Sequence, residues 1–207
     1  MIIGIVGKKG SGKDEVGAII QYLTSSYADE LEYWQYKAEN KSSYTDSRFC
    51  IKKFAEPLKQ ATSILLGCTR EDLEDRDFKY QILYSAHDPQ VAKFKNMTTR
   101  LFLQLLGTEV GRNIIDENVW VDLLLKDYKH LQDNFIITDV RYKNELDAIN
   151  KYGFSIKINR VTIENADTHA SETELDTLKT DYIINNNGYI EELIEKVKTI
   201  LEKERII

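Results

Sequence analysis

Residues Gly7 to Lys13 constrain this chain more than any others. Ile2, Ile3, Ile5 and Val6 form an apolar run broken only by Gly4, as in a short strand buried on both faces. The run leads straight into Gly7-Lys8-Lys9-Gly10-Ser11-Gly12-Lys13. Val16, Ile19, Ile20 and Leu23 then set the i, i+3, i+4, i+7 stripe of a core-facing helix. A glycine-rich loop between strand and helix is the setting in which main-chain N–H groups converge on a phosphate. Gly7 and Gly12 remove the Cβ atoms that obstruct such a turn. The helix N-terminus adds free N–H groups and the positive end of its dipole, and Lys13 brings a mobile charge to the β- and γ-phosphates. Ser or Thr usually follows that lysine to hold Mg²⁺; here Asp14 does, and a carboxylate serves a hard cation directly or through water. The unit predicts binding of a nucleoside triphosphate.

The rest of the chain has to build a core behind this loop. Its 207 residues, 42% hydrophobic with only two prolines, suit one α/β domain over 1–207 with room for a small inserted substructure. A net charge of −6 argues against coating nucleic acid or an anionic membrane, so basic residues must converge on one cleft to hold anionic substrates. Cys50 and Cys68 form no C-x-x-C motif, which suits reduced thiols in the cytoplasm. No run approaches eighteen apolar residues, and no secretory signal is evident.

Strand signals recur at Phe49–Ala55, Phe135–Asp139, Phe154–Ile158 and Asp181–Ile184. Helices are expected from Pro57 to Leu66, closed by Gly67; from Thr69 to about Tyr84, opened by a Thr69/Asp72 capping box; and from Thr98 onward. Further helices are expected over Val119–Leu131, Asn144–Tyr152 and Tyr189–Glu204. Tyr27–Arg48 reads as a helix end and an exposed loop, and 161–180 as a polar loop. Strands separated by helices predict a parallel sheet with helices on both faces.

In such sheets ligands sit at the carboxyl ends of the strands. Asp139 ends Phe135–Thr138 and is the natural carboxylate for Mg²⁺, with the N-cap of the next helix as its alternative role. Arg141 emerges at the same edge, where cations offset charge developing on a transferred phosphoryl group. Glu145, four residues on, is placed to orient it or to form a plain surface ion pair. Arg100, Gln104 and Thr108 fall on one helical face that either holds a second nucleotide, with Arg100 on its phosphate, or is simply solvated. Trp120 either stacks on a base or belongs to the core. No histidine shows metal-ligand spacing.

Seven blocks together resemble the bacteriophage-type deoxynucleoside monophosphate kinases of the P-loop nucleoside monophosphate kinase group. They are GKKGSGKD (7–14), FAEPLK (54–59), EDRDFK (74–79), RLFLQLLGTEVGR (100–112), NVW (118–120), ITDVRYKNE (137–145) and HASETELD (169–176). The closing DYIINNNG resembles the family's last strand and adenine-side loop. The resemblance implies a three-layer α/β/α P-loop kinase fold with a central five-stranded parallel sheet, a helical monophosphate-binding region at about 57–131 and a small lid at about 160–180. It implies transfer of the γ-phosphate of ATP to a deoxynucleoside 5′-monophosphate with Mg²⁺, in host cytoplasm if phage-encoded. Gly7, Lys8, Gly10, Ser11, Gly12, Lys13, Asp14, Arg160 and Asn186 fall to the ATP side, and Arg100, Gln104, Gly107, Thr108 and Trp120 to the monophosphate pocket. Lys13, Asp14, Arg100, Asp139, Arg141 and Glu145 would be catalytic, with Asp14 and Asp139 on the metal. Glu15 departs from the family's usual Thr, which bears on metal binding and base preference. A homodimer is compatible with this reading. Its rivals are a small-metabolite kinase such as dephospho-coenzyme A kinase and a non-catalytic nucleotide sensor.

Overall fold

The apolar runs assemble into one sheet. In a computed structural model that describes residues 1–39, 46–83, 97–130, 132–161 and 174–207, β1 (Ile2–Val6), β2 (Cys50–Lys52), β3 (Phe135–Val140), β4 (Gly153–Asn159) and β5 (Tyr182–Asn185) lie side by side. Their order is β2-β3-β1-β4-β5 and every pairing is parallel. The strand carrying the glycine loop is therefore central, paired on both sides, and all five of its residues are buried. Around the sheet run α1 (Lys13–Leu23), α2 (Tyr33–Glu39), α7 (Lys143–Asn150) and α8 (Ile190–Lys203), with 3₁₀ turns at Ser26–Asp29 and Glu174–Asp176. This is the expected α/β architecture with a five-stranded parallel sheet.

The core follows from helix periodicity. Val16, Ile19 and Ile20 of α1 and Leu193, Val197, Ile200 and Leu201 of α8 pack on Ile3, Ile5, Ile136, Ile156, Ile158 and Ile184 of the strands. Each such side chain removed from water contributes about 1.5–3 kcal/mol. Gly4 lies under Ile149 of α7, where a Cβ would come within 2.7 Å of Ile149 Cδ1.

Two expectations need correcting. Residues 26–39 are not an exposed loop but the 3₁₀ turn and α2, because Tyr33 and Tyr36 are buried against Tyr22, with ring centroids 5.4 and 5.3 Å away; tyrosines read as polar surface are here a hydrophobic facing. The Thr69/Asp72 reciprocal hydrogen bonds do form, at 2.8 and 3.1 Å. They close a turn rather than a long helix, and α4 spans only Arg76–Tyr80, capped by Asp75. Residues 40–45 and 162–173, most of the expected polar loop 161–180, lie outside the described residues, as does Tyr84.

The chain divides into two compact units, Met1–Lys53 with Tyr128–Ile207, and Phe54–Asp127. The second is helical: α3 (Ala55–Leu66), α4, α5 (Thr99–Gln104), a π-helix over Leu105–Ile115 and α6 (Val119–Leu125). Gly67 ends α3 in the left-handed conformation at φ 67°, and Thr98 caps α5 by accepting from the Leu101 N–H at 3.2 Å. Among the described residues no helix is long and apolar enough to cross a membrane.

Candidate active site

The glycine loop has the shape its composition demands. Gly10 and Gly12 take φ of 79° and 101°, the left-handed region that turns successive N–H groups to one side. At Gly12 a Cβ would also come within 2.5 Å of Asn186 Nδ2, so that position has neither conformational nor steric room for a side chain. Asn186 follows β5, and its Nδ2 donates to the Ser11 carbonyl at 2.9 Å. The Lys13 ammonium curls back over the loop, donating to the carbonyls of Gly7 and Lys8 at 2.5 and 2.8 Å. Ser11 is buried, and its Oγ has no hydrogen-bond partner among the described residues. A buried hydroxyl without a partner is costly, and a phosphate oxygen satisfies it. That orphan and the nest of N–H groups fit a polyphosphate.

Beside the loop opens a cleft of about 230 Å³, lined by Gly7, Lys8, Ser11, Lys157, Arg160 and Asp176 among others. Lys8 Nζ pairs with Asp176 at 3.0 Å, and Lys157 Nζ donates to the Leu175 carbonyl at 2.9 Å. The 174–176 turn, anchored by the buried Leu175, is thus tied to the loop and to β4. Of the residues expected on the ATP side, Arg160 and Asn186 are the distant ones in sequence; Arg160 lines this cleft and Asn186 touches Ser11.

Across the loop lies Asp14, whose Oδ1 accepts from Thr138 Oγ1 at 2.9 Å and pairs with Lys53 Nζ at 3.0 Å. Partial desolvation of the carboxyl by the surrounding chain works against its charge, but the Lys53 ammonium, the Thr138 hydroxyl and Lys13 outweigh it and hold the carboxyl below its usual range. Asp14 is therefore an anion at neutral pH. Asp139 adjoins Thr138 on β3, half-buried, and the N-cap of α7 is Tyr142 rather than Asp139. Mg²⁺ takes one or two carboxylates and completes its shell with water and phosphate oxygens, so Asp14 and Asp139 are donors of the right kind. Both described contacts of Asp14 fall on Oδ1, and its side chain is 76% exposed, which leaves Oδ2 to a ligand. Glu145 is 98% buried, and its Oε2 accepts from the N–H groups of Arg141 and Tyr142 at 2.7 and 3.1 Å. It fixes the main chain that carries Arg141.

Two residues that the sequence reading passed over or left open belong here. Lys53 follows β2, and β2 pairs with β3 so that Lys52 faces Ile137; only the strand order puts Lys53 next to Thr138 and Asp14. The signal available was a basic pair closing a strand, with Lys52 lying over the Phe135 ring at 5.5 Å. Glu15 is engaged by α2. Its carboxylate accepts from Tyr33 Oη at 2.7 Å and from Lys37 at 2.7 and 2.6 Å, which binds α1 to α2.

In the second unit Arg100, Gln104 and Thr108 are all half-buried. The Arg100 guanidinium lies 5.9 Å from the Tyr80 ring centroid. Trp120 is buried in this unit, donating its indole N–H to the Gly107 carbonyl at 2.8 Å. At Gly111 a Cβ would stand 2.6 Å from the indole, and at Gly107 2.8 Å from Leu58. The indole thus packs against the π-helix at Gly107 and Gly111.

A sequence profile described as deoxynucleotide monophosphate kinase matches residues 35–197. The chain belongs to this family. The match begins beyond the glycine loop, so the loop's geometry and the family assignment are separate observations. Among deoxynucleotide monophosphate kinases, the chain is 30% identical over 211 positions to a protein of Acanthamoeba polyphaga mimivirus described as a putative member, covering 95% of this chain and 94% of that protein. It is 34% identical over 110 positions to the enzyme of Enterobacteria phage T4, covering 51% of this chain and 46% of that one. It is 25% identical over 194 positions to the deoxynucleoside-5′-monophosphate kinase of Escherichia phage T5, covering 70% of each.

Proposed function

We propose that this kinase transfers the γ-phosphate of ATP to a deoxynucleoside 5′-monophosphate, giving a diphosphate and ADP. The observation that carries the reading is the glycine loop, whose positive-φ glycines, orphaned Ser11 Oγ and overlying Lys13 form a polyphosphate cradle in a chain of this family. Both reactants are anions, so the task is to align them and offset charge rather than to activate a nucleophile. The N–H groups of Gly10–Lys13 hold the donor phosphates. Lys13 leaves the carbonyls of Gly7 and Lys8 for the β- and γ-oxygens, and Arg141 meets the charge that develops on the transferring group. Asp14 and Asp139 would hold Mg²⁺, which would supply positive charge to offset that of the donor phosphates. Lys53 keeps Asp14 ionised and oriented. The acceptor falls to the second unit: Arg100 takes its phosphate, and Gln104 and Thr108 contact the nucleoside. The acceptor's phosphate oxygen is already nucleophilic, so no general base is needed.

The test is an ADP-release assay with ATP, Mg²⁺ and each of the four deoxynucleoside monophosphates, with AMP and dephospho-coenzyme A alongside. Turnover on at least one deoxynucleotide supports the reading, and turnover only on dephospho-coenzyme A, or ATP binding without acceptor-dependent release, replaces it. Lys13→Ala is expected to lower the transfer rate by about a hundredfold or more. A rate within a few-fold of wild type removes the loop from the mechanism.

A further inference from the structure

Two strand ends and one helix meet beside the glycine loop. β2 runs parallel to β3 with Lys52 opposite Ile137, so the chain leaves β2 at Lys53 beside Thr138. Gly17 brings α1 down onto the same residue, where a Cβ would come within 2.8 Å of Thr138 Cγ2. Asp14, about one turn earlier on α1, thereby reaches the Thr138 hydroxyl. The outcome is a single carboxylate oxygen with two donors of different kinds. Asp14 Oδ1 accepts from Thr138 Oγ1 at 2.9 Å and from the Lys53 ammonium at 3.0 Å. Thr138 is buried and its hydroxyl is neutral, whereas the Lys53 side chain is 37% exposed and charged.

An ion pair this solvated adds little to stability, so its consequence is local charge. A divalent cation that meets Asp14 also meets the Lys53 ammonium, far inside the roughly 10 Å over which salt screens exposed charges. Lys53 thus offsets the one negative charge that Asp14 offers. Mg²⁺ gives up its water reluctantly and is held by one or two carboxylates together with phosphate oxygens, not by carboxylates alone. A polyphosphate in the cradle alters this balance by bringing several negative charges to the loop. Lys53 carries its charge on a flexible stem with three rotatable donors, so the ammonium can turn toward the added charge. Thr138 meanwhile keeps hold of Oδ1 and preserves the rotamer of Asp14. One donor orients the carboxylate, and the other sets its charge.

We propose that Lys53 makes metal binding at Asp14 conditional on the nucleotide: its ammonium suppresses binding of a divalent cation to the nucleotide-free loop and yields once phosphate charge is present. The assignment rests on the kinase reading above. Lys53 acts through Asp14 and is a positioning residue. Its charge matters rather than its shape, so arginine replaces it in this role and a neutral side chain of similar length does not.

The experiment titrates Mn²⁺ into wild type, K53M, K53R and the double variant D14N/K53M without nucleotide, following free Mn²⁺ by its electron spin resonance signal. Calorimetry then measures the affinity of each protein for the Mn²⁺ complex of the β,γ-imido analogue of ATP, and thermal unfolding is recorded in parallel. Without nucleotide, K53M is expected to bind Mn²⁺ about tenfold or more tightly than wild type. K53R is expected to stay as weak as wild type, and D14N/K53M to lose the gain, which locates it at Asp14. For the analogue complex, K53M and wild type are expected to differ by less than about threefold. If K53M does not fold, K53Q carries the same comparison. A Mn²⁺ affinity equal in wild type and K53M overturns the assignment, whatever the unfolding midpoints do. So does a gain that K53R shares, that D14N/K53M retains, or that persists undiminished with the analogue. A wild type that does not bind the analogue complex at all overturns the kinase reading itself.

Discussion

Glu15 shows how far one side chain's meaning depends on a partner distant in sequence. Burial, and then the Glu15 carboxylate it donates to, push the Tyr33 hydroxyl far above its ordinary range, so it remains a neutral donor. With Tyr33 only 3% exposed, Glu15→Ala leaves that hydroxyl buried and unpaired. A loss of about 1–3 kcal/mol is expected in chemical denaturation, and a smaller one for Glu15→Gln, which retains an acceptor for Tyr33 but not the charge for Lys37. Lys13, Asp14 and the loop glycines were legible in the sequence because their chemistry sits at fixed offsets within one strand–loop–helix unit. The surroundings of Glu15 and Lys53 were not. Glu15 is met by a segment whose tyrosines read as polar surface, and Lys53 reaches Asp14 only because β3 lies between β2 and β1.

Among the elements, apolar periodicity found every strand of the sheet and most helices, because each buries a continuous face. It did not distinguish α from π winding after Thr98, since both place an apolar residue every few positions. The trace left in the sequence was Gly107 and Gly111, four apart rather than three or four alternately. Gly111→Ala is expected to destabilise the protein by about 1–3 kcal/mol, read as a lowered unfolding midpoint, because the added carbon meets the Trp120 ring at 2.6 Å and the Leu106 carbonyl at 2.9 Å. Gly67→Ala probes a different cost, with open space around the Cβ position and only φ 67° to oppose the substitution.

For the molecule as a whole, acid stability follows from carboxylates held by cations. In the second unit Glu74 lies between Lys59 at 2.6 Å and Arg70 at 2.7 Å. Burial opposes its ionisation, but Lys59 and Arg70 outweigh it and bring the carboxyl to about 2. Arg70 likewise holds Glu56 below its usual range. A carboxyl lowered by folding stabilises above its unfolded pKa and loses that contribution as pH falls through the folded value. Wild type is therefore expected to lose stability between about pH 4.5 and pH 2. Glu74→Gln is expected to be less stable at pH 7, with the gap to wild type closing across that window, as followed by circular dichroism at stepped pH.

The position of β1 in the sheet has a consequence for the order of events during synthesis. Ile2 pairs with Phe135 on one side and Gly153 on the other, so the strand that leads into the phosphate cradle has no neighbour until most of the chain has left the ribosome. At about 5–20 residues per second, that is a wait of many seconds. The helical segment 54–127, whose contacts lie close in sequence, has everything it needs by then. The first residues to be translated are thus among the last to find their place in the sheet, and a nascent chain arrested before β3 has the helical segment but not yet a supported glycine loop.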